Sequence, residues 1–364
     1  MRLGARLVRP VLLVVPGALL ASSLAACGGS DDSGSDGGSG GNPLAGSRLA
    51  DALAAAPAEA TSVEFVDRAA LAERYGVDDV APDADEDERT AYATALVDAP
   101  AATELASYVV QMADAAFSEL DLEWQATVDG PDEMHAQVWR VRDDLDLDAV
   151  ADDLADAGYT ASGSADAQRF TADLSSVDSA TGLIGGRYPQ TMLDVAVVPD
   201  DHVIVSGAST DAVVDAISGA ADSLAGSGAF DDVLDSADPP SDLEYAELRR
   251  GDDTCGVPAA AGPDSEEAAD SDAQLGTAVA SGWFTSGEGD DRGVLLFGDG
   301  DAAAADADQR ETYLADFAEF YGLDIDFAVT QDDDAVRVTS DAADARTVVS
   351  ALQRNEGPLA CEPA

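Results

Sequence analysis

The side chains best suited to chemistry are few in kind: two histidines, three cysteines and 73 carboxylates in 364 residues. His135 and His202 each stand alone in an alternating, strand-like stretch. A zinc site built on both would need carboxylates brought in by the fold, and the plainer reading leaves each on a sheet surface. A Ser-His-Asp hydrolase would need one of them as base, yet no Gly-x-Ser-x-Gly turn is present to offer a nucleophile. Cys27, Cys255 and Cys361 form no Cys-x-x-Cys and have no histidine close in sequence, which argues against a redox or nucleophilic pair. Paired carboxylates for glycoside hydrolysis cannot be singled out from so many candidates. The cluster Asp83, Asp85, Asp87 and Glu88 lacks the central glycine and terminal glutamate of an EF-hand loop. Gly182, Gly185 and Gly186 lack phosphate-loop spacing, so no cofactor is expected. Trp124, Trp139 and Trp283 read as core rather than groove residues.

The charge balance narrows the classes. All 18 basic residues are arginines, and the formal net charge is −55. Such a surface repels nucleic acid and anionic lipid headgroups. The acidic residues are spread along the whole chain, the pattern of a composition bias; weak binding of divalent cations at many sites is the functional counterpart. Hydrophobic residues make up 46% of the chain, enough for it to fold despite that charge.

Arg2, Arg6 and Arg9 precede an apolar segment, Val11 to Leu20, broken by Pro16 and Gly17, and small residues then lead to Cys27. This is the layout of a cleaved export signal, and the apolar run is too short for a comfortable membrane span. Arg6 and Arg9 are not adjacent, so a general export route is expected rather than a twin-arginine one. Leu24-Ala25-Ala26-Cys27 resembles the bacterial lipobox. The resemblance implies diacylglyceryl transfer to the Cys27 sulfur, cleavage before it, and acylation (of the palmitate kind) of the new amino terminus. It implies a signal peptide over 1–26 and a chain lipid-anchored at the extracytoplasmic face of the cell membrane. Cleavage would remove three arginines and no carboxylate, leaving fifteen arginines against 73 acids, a net −58. The leader, the following tether and the Asp/Ala/Arg composition are similar to those of actinobacterial secreted lipoproteins. Asp200 to Leu234 is similar to segments in exported actinobacterial proteins of an uncharacterised family, and it brings no catalytic residue. With Cys27 lipidated, Cys255 and Cys361 are an even pair in an oxidising compartment and read as one disulfide.

These residues need elements to hold them. Residues 28–43 are Gly, Ser and Asp in low-complexity order and form a flexible tether. A short helix is expected within 44–60, then a strand over 61–67 and a helical turn capped by Asp67 and ended by Gly76. Residues 78–90 read as an acidic loop and 89–118 as alanine-rich helix. Strands follow at Trp124–Val128 and Met134–Arg142, then an amphipathic helix over Leu147–Ala157 ended by Gly158. Tyr159–Ser162 and Arg169–Leu174 read as strands, and 175–190 as an irregular surface loop. Leu193–Val198 and His202–Ser206 make a hairpin, followed by a helix over Asp211–Ala220 with Ser209 or Thr210 as cap. A short helix and the Pro239-Pro240 break are read within 226–244, and an exposed connection within 254–272. The stretch VAVVPDDHVIVSGASTDAVVDAI matches FAVTQDDDAVRVTSDAADARTVVSAL, beginning at Phe327, with small length changes. Upstream, Gly293–Phe297 and a helix at Arg310–Tyr321 correspond in order to Met134–Arg142 and Leu147–Ala157.

The expected fold is therefore α+β: two similar lobes, each an antiparallel sheet covered on one face by helices. The first domain would run over 44–251 and the second, a partial repeat, over 252–364. The expected role is non-enzymatic binding or structure at the cell envelope. An exported hydrolase using Asp/Glu and a lone histidine, and a low-affinity divalent-cation binder, are the competing readings.

Overall fold

The computed structural model describes residues 44, 46–164, 167–255, 274–287, 289, 291–340, 345–354 and 356–362. Cys27, the signal peptide, the tether and most of the 254–272 connection lie outside the described residues. Helix α1 (Arg48–Ala55) precedes strand β1 (Ser62–Val66), which runs into α2 (Arg68–Arg74). Asp67 caps α2 as expected, accepting from the Ala70 backbone N–H. Next comes α3 (Glu86–Ala95). Its cap corrects the acidic-loop reading: Asp85 and Glu88 form a reciprocal capping box, the acceptor arrangement that exposed helix N-termini require.

Strands β2 (Leu122–Gly130) and β3 (Met134–Val141) lead to α4 (Leu147–Asp156), β4 (Thr160–Gly163) and β5 (Gln168–Thr171). The 175–190 segment is more ordered than a surface loop. It contains β6 (Leu183–Ile184) and β7 (Tyr188–Pro189), and Leu183, Ile184 and Tyr188 are buried. Gly185 makes that turn at φ +57°, where a Cβ would lie 2.5 Å from the Ala157 carbonyl oxygen. The hairpin β8 (Asp194–Val198) and β9 (Val203–Ser206) is followed by α5 (Thr210–Ile217), α6 (Leu224–Ser227), α7 (Asp231–Ala237) and β10 (Leu243–Arg250). Then come β11 (Ala280–Ser286), β12 (Asp291–Leu296), α8 (Gly300–Tyr321), β13 (Phe327–Asp332), β14 (Ala335–Ser340) and α9 (Ala345–Leu352). Helix α8 begins ten residues earlier than expected, because Asp299 caps it through the Ala302 N–H.

Twelve of the described strands form one antiparallel sheet, ordered β13-β14-β12-β11-β10-β1-β2-β3-β9-β8-β5-β4. The expected antiparallel α+β architecture is present, but β1 and β10 pair with each other, so no separate sheet marks off each lobe. Reading outward from that pair, β1-β2-β3-β9-β8 on one side has β10-β11-β12-β14-β13 on the other.

Helices cover both faces of the sheet, not one. Alternation along each strand assigns the faces. Val63, Phe65, Ala126, Val138, Ala246 and Leu248 join α1, α5, α6 and α7 in one apolar layer. The opposite face holds two separate clusters. Trp139, Val195, Val197 and Ile204 pack with α4, while Tyr245, Trp283, Leu295 and Val338 pack with α8 and α9. Burial of about 1.5–3 kcal/mol per large apolar side chain makes these layers the main source of stability. Between the two clusters the strands turn polar.

Candidate functional site

The polar gap is a cleft of about 880 Å³. Its floor is Glu64 of β1, Gln125 and Thr127 of β2, and Gln137 of β3; α9 contributes Arg346 and Ser350, and Gln353 follows directly after it. Residues 93–111 line the other side. Helix was expected through 118, but α3 stops at Ala95 and only short 3-10 turns follow. Pro100 disfavours helical backbone at Ala99 and cannot itself donate to a helix.

Irregular backbone beside a sheet needs polar partners, and buried arginine supplies them. Arg89 is 2% exposed and donates to the carbonyls of Ala84 (3.1 Å), Val109 (2.8 Å) and Pro82. A second buried group fixes the same wall. Tyr92 Oη accepts from Arg68 Nε and donates to Glu119 Oε1, each at 3.0 Å, and Thr103 Oγ1 donates to the other carboxylate oxygen. Burial raises the Glu119 pKa, against the hydrogen bonds from Thr103 and Tyr92 and the charge of Arg68.

Gln125 is the best-defined side chain of the floor. Its Oε1 accepts from the Glu104 backbone N–H and the Trp139 indole N–H, both at 2.8 Å. Both partners are donors, so the amide orientation is unambiguous. Its Nε2 is left facing the cleft. Beside it, Thr127 Oγ1 donates to Gln137 Oε1 at 3.0 Å.

At the centre of the sheet, Glu64 stands opposite Glu247. Glu247 accepts from Arg249 Nε at 2.8 Å and from Tyr245 Oη at 3.1 Å, and Arg249 also donates to the Leu352 carbonyl at 3.0 Å. Glu64 is half-buried and lines both the main cleft and an adjoining recess of about 430 Å³. Burial first, then the charge of Glu247, pushes its carboxyl up to about 7; the pull of Arg249 does not offset them. On the other side of the central pair, the positions matching Thr127 and Gln137 in register hold Trp283 and Gly293. The Trp283 indole packs over Gly293 there, 2.6 Å from where a Cβ would lie, and fills that position.

The residues singled out from sequence fall elsewhere. His135 is exposed at the start of β3, its Nδ1 2.7 Å from Asp129 Oδ1, and the hydrogen bond to Asp129 raises its pKa. His202 occupies the turn before β9 at φ +49°, and its carbonyl accepts from Val141 N–H at the far end of β3. The two histidines are thus at opposite ends of one strand and line no part of the cleft. All three tryptophans are buried to within 2% of full exclusion. Cys255 and Cys361 are joined by a disulfide. Among the described residues, no group of three or more His, Cys, Asp or Glu side chains could hold a metal ion. No helix of the described residues is long and apolar enough to cross a membrane.

The cleft floor was missed in the sequence because Gln and Thr on strands carry no motif. A signal existed in the paired positions Gln125/Thr127 and Gln137, polar where a doubly covered sheet wants apolar residues. No family model and no curated protein matches the chain. A solved structure, crystal form III of TP0453, is similar at 7% sequence identity and a TM-score of 0.41, covering 82% of this chain and 96% of that one. Likeness at that level assigns neither fold nor function.

Proposed function

We propose that this chain is a non-enzymatic binding module, lipid-anchored through Cys27 at the extracytoplasmic face of the cell membrane, that takes its ligand in the cleft. The observation that carries the reading is the cleft itself, with walls held by Arg89 and Glu119 and a floor of oriented amides. Concave sites with a few fixed polar groups are the usual places for small ligands. The position of both histidines away from the cleft favours binding over the hydrolase reading. The leader, the Leu24–Cys27 resemblance and the glycine-serine tether support the address. The matching strand orders either side of β1 and β10 support an internal duplication into two similar lobes; the strand order groups β10 with the second, so the boundary falls before Leu243 rather than at 252.

A tryptophan at Ala102, an exposed residue on the cleft wall, would plug the site without disturbing the core. Thermal-shift screening of small-molecule and glycan collections should find compounds that stabilise the parent protein and not A102W. Identical hits for both proteins would remove the cleft as the binding site. Intact-mass analysis of membrane-extracted protein tests the anchor; an uncleaved chain with a free Cys27 thiol would refute it.

A further inference from the structure

The centre of the site is one positive charge short. Glu64 and Glu247 share a register position, and Arg249 is committed to Glu247 and to the Leu352 carbonyl. Asp129, next along the same face, adds a third carboxylate near Glu64 and is itself engaged by His135. The remaining cation on the cleft wall, Arg346, lies 3.5 Å from Asp98, both of them largely exposed. Glu64 shares the charge of Arg249 and accepts a hydrogen bond from the Gln353 side chain, a neutral donor that brings no positive charge of its own. The strongly acidic chain adds a field that concentrates cations at such a recess.

An independent observation concerns acceptors. Gln125 is only 4% exposed and lines the cleft, yet its Nε2 has no acceptor among the described residues. Gln137, half-buried, presents a second amide, whose oxygen accepts from Thr127. Strand geometry sets the spacing. Gln125 is diagonal to Glu64, about 7–8 Å away, and Gln137 is two strands over, about 10 Å away.

Building on the binding-cleft reading, we propose that the ligand carries one ammonium or guanidinium group, held against Glu64 beside Glu247, and carbonyl or hydroxyl acceptors that meet Gln125 and Gln137. A compact cation fits because half-buried Glu64 stands beside buried Glu247 and the two carboxylates share one arginine. Acceptors fit at Gln125 in particular, because its oxygen already takes two donors and its nitrogen is open to the cleft.

Nα-acetyl-lysine-N-methylamide is a suitable probe, with an ammonium on a four-carbon stem and two carbonyls. Its norleucine counterpart is the uncharged control. Isothermal titration at low salt and about pH 8, where Glu64 is ionised, should show the lysine probe binding about ten-fold or more tighter. Glu64→Gln removes an unfavourable buried charge, so it should fold at least as well as the parent, and it should bring the two probes to equal affinity. Equal affinities in the parent, a lysine preference that survives in E64Q, or no heat from either probe at about 10 mM would overturn the cation assignment. The plugged protein separates the two readings. If A102W binds neither probe while the parent binds both alike, the cleft stands and the cation assignment fails. If A102W keeps the lysine preference, the charge site is elsewhere and the cleft reading fails.

Discussion

Glu64 of β1 and Glu247 of β10 face each other directly across the central antiparallel pair, two carboxylates at one register position. Like charges so placed are destabilising, and the structure meets the cost mainly at Glu247, which Arg249 grips, while Glu64 has a hydrogen bond from Gln353 and the more distant charge of Arg249. Glu64 is left to hold its proton to about pH 7, as does Asp291, which burial also raises to about 7. In the unfolded chain both release protons near the ordinary carboxylate range of about 4. Between those limits the folded state binds more protons, so stability is greatest at the acid end and is lost as pH rises through about 7. Urea unfolding at about pH 5.5 and pH 8 should show this loss, with Glu64 contributing roughly 1–3 kcal/mol after solvent screening. E64Q should have a flatter pH profile than the parent; an unchanged profile would mean Glu64 is ionised throughout.

The Cys255–Cys361 bond spans 106 residues and ties the tail to the turn that follows β10. Closing a loop of that length restricts the unfolded chain by about 4–5 kcal/mol in the entropic account. Paired serine substitutions should lower urea-derived stability by up to that amount. A loss below about 1 kcal/mol would show that the unfolded chain is already compact there.

Arg310 and Asp306 form a fully buried ion pair one turn apart on α8, with Nε to Oδ2 at 2.6 Å. Arg310 also donates to the Pro358 carbonyl and Asp306 accepts from Gly276 N–H, both at 2.8 Å. The pair therefore fastens both 276 and the C-terminal turn to the helix. R310A strands a buried carboxylate and should cost about 3–5 kcal/mol. The double change D306L/R310M should cost much less than the two single changes added together, measured as a double-mutant cycle in urea.

Self-repulsion among carboxylates should make stability salt-dependent. With a Debye length of about 10 Å at 0.1 M, added NaCl should raise Tm. CaCl2 at matched ionic strength should give a similar rise. A saturable excess with calcium would instead support specific divalent-cation sites.

Local signals carried much of the fold. The alternation in β2 and β3, the stripe Leu147, Val150 and Leu154 on α4, and the Asp67 cap are each properties of a few neighbouring residues. Strand β10 was not legible because Glu244, Glu247, Arg249 and Arg250 put charge on both of its faces. Those charges are tolerated only because Arg74 pairs with Glu244 and Arg249 with Glu247. The cleft wall was read as helix because alanine favours helix locally, whereas its path depends on carbonyls gathered by Arg89 from two segments. The disulfide was legible by counting. The Glu64–Glu247 pairing was not, since it exists only once distant strands find their register.

The β1/β10 register also bears on how a single cleft could arise. Had each proposed half once been a separate chain, two copies would have met through this strand, and the residue at its midpoint would have faced its own twin across a two-fold axis. Symmetry would then force every feature to appear twice, including any arginine recruited to relieve the clash. Fusion lifts that requirement. Arg249 occupies the place that Val66 holds on β1, and Trp283 over Gly293 closes the side where Thr127 and Gln137 leave an opening. One chain can thus build one site from a surface that a symmetric assembly could only have built as a pair.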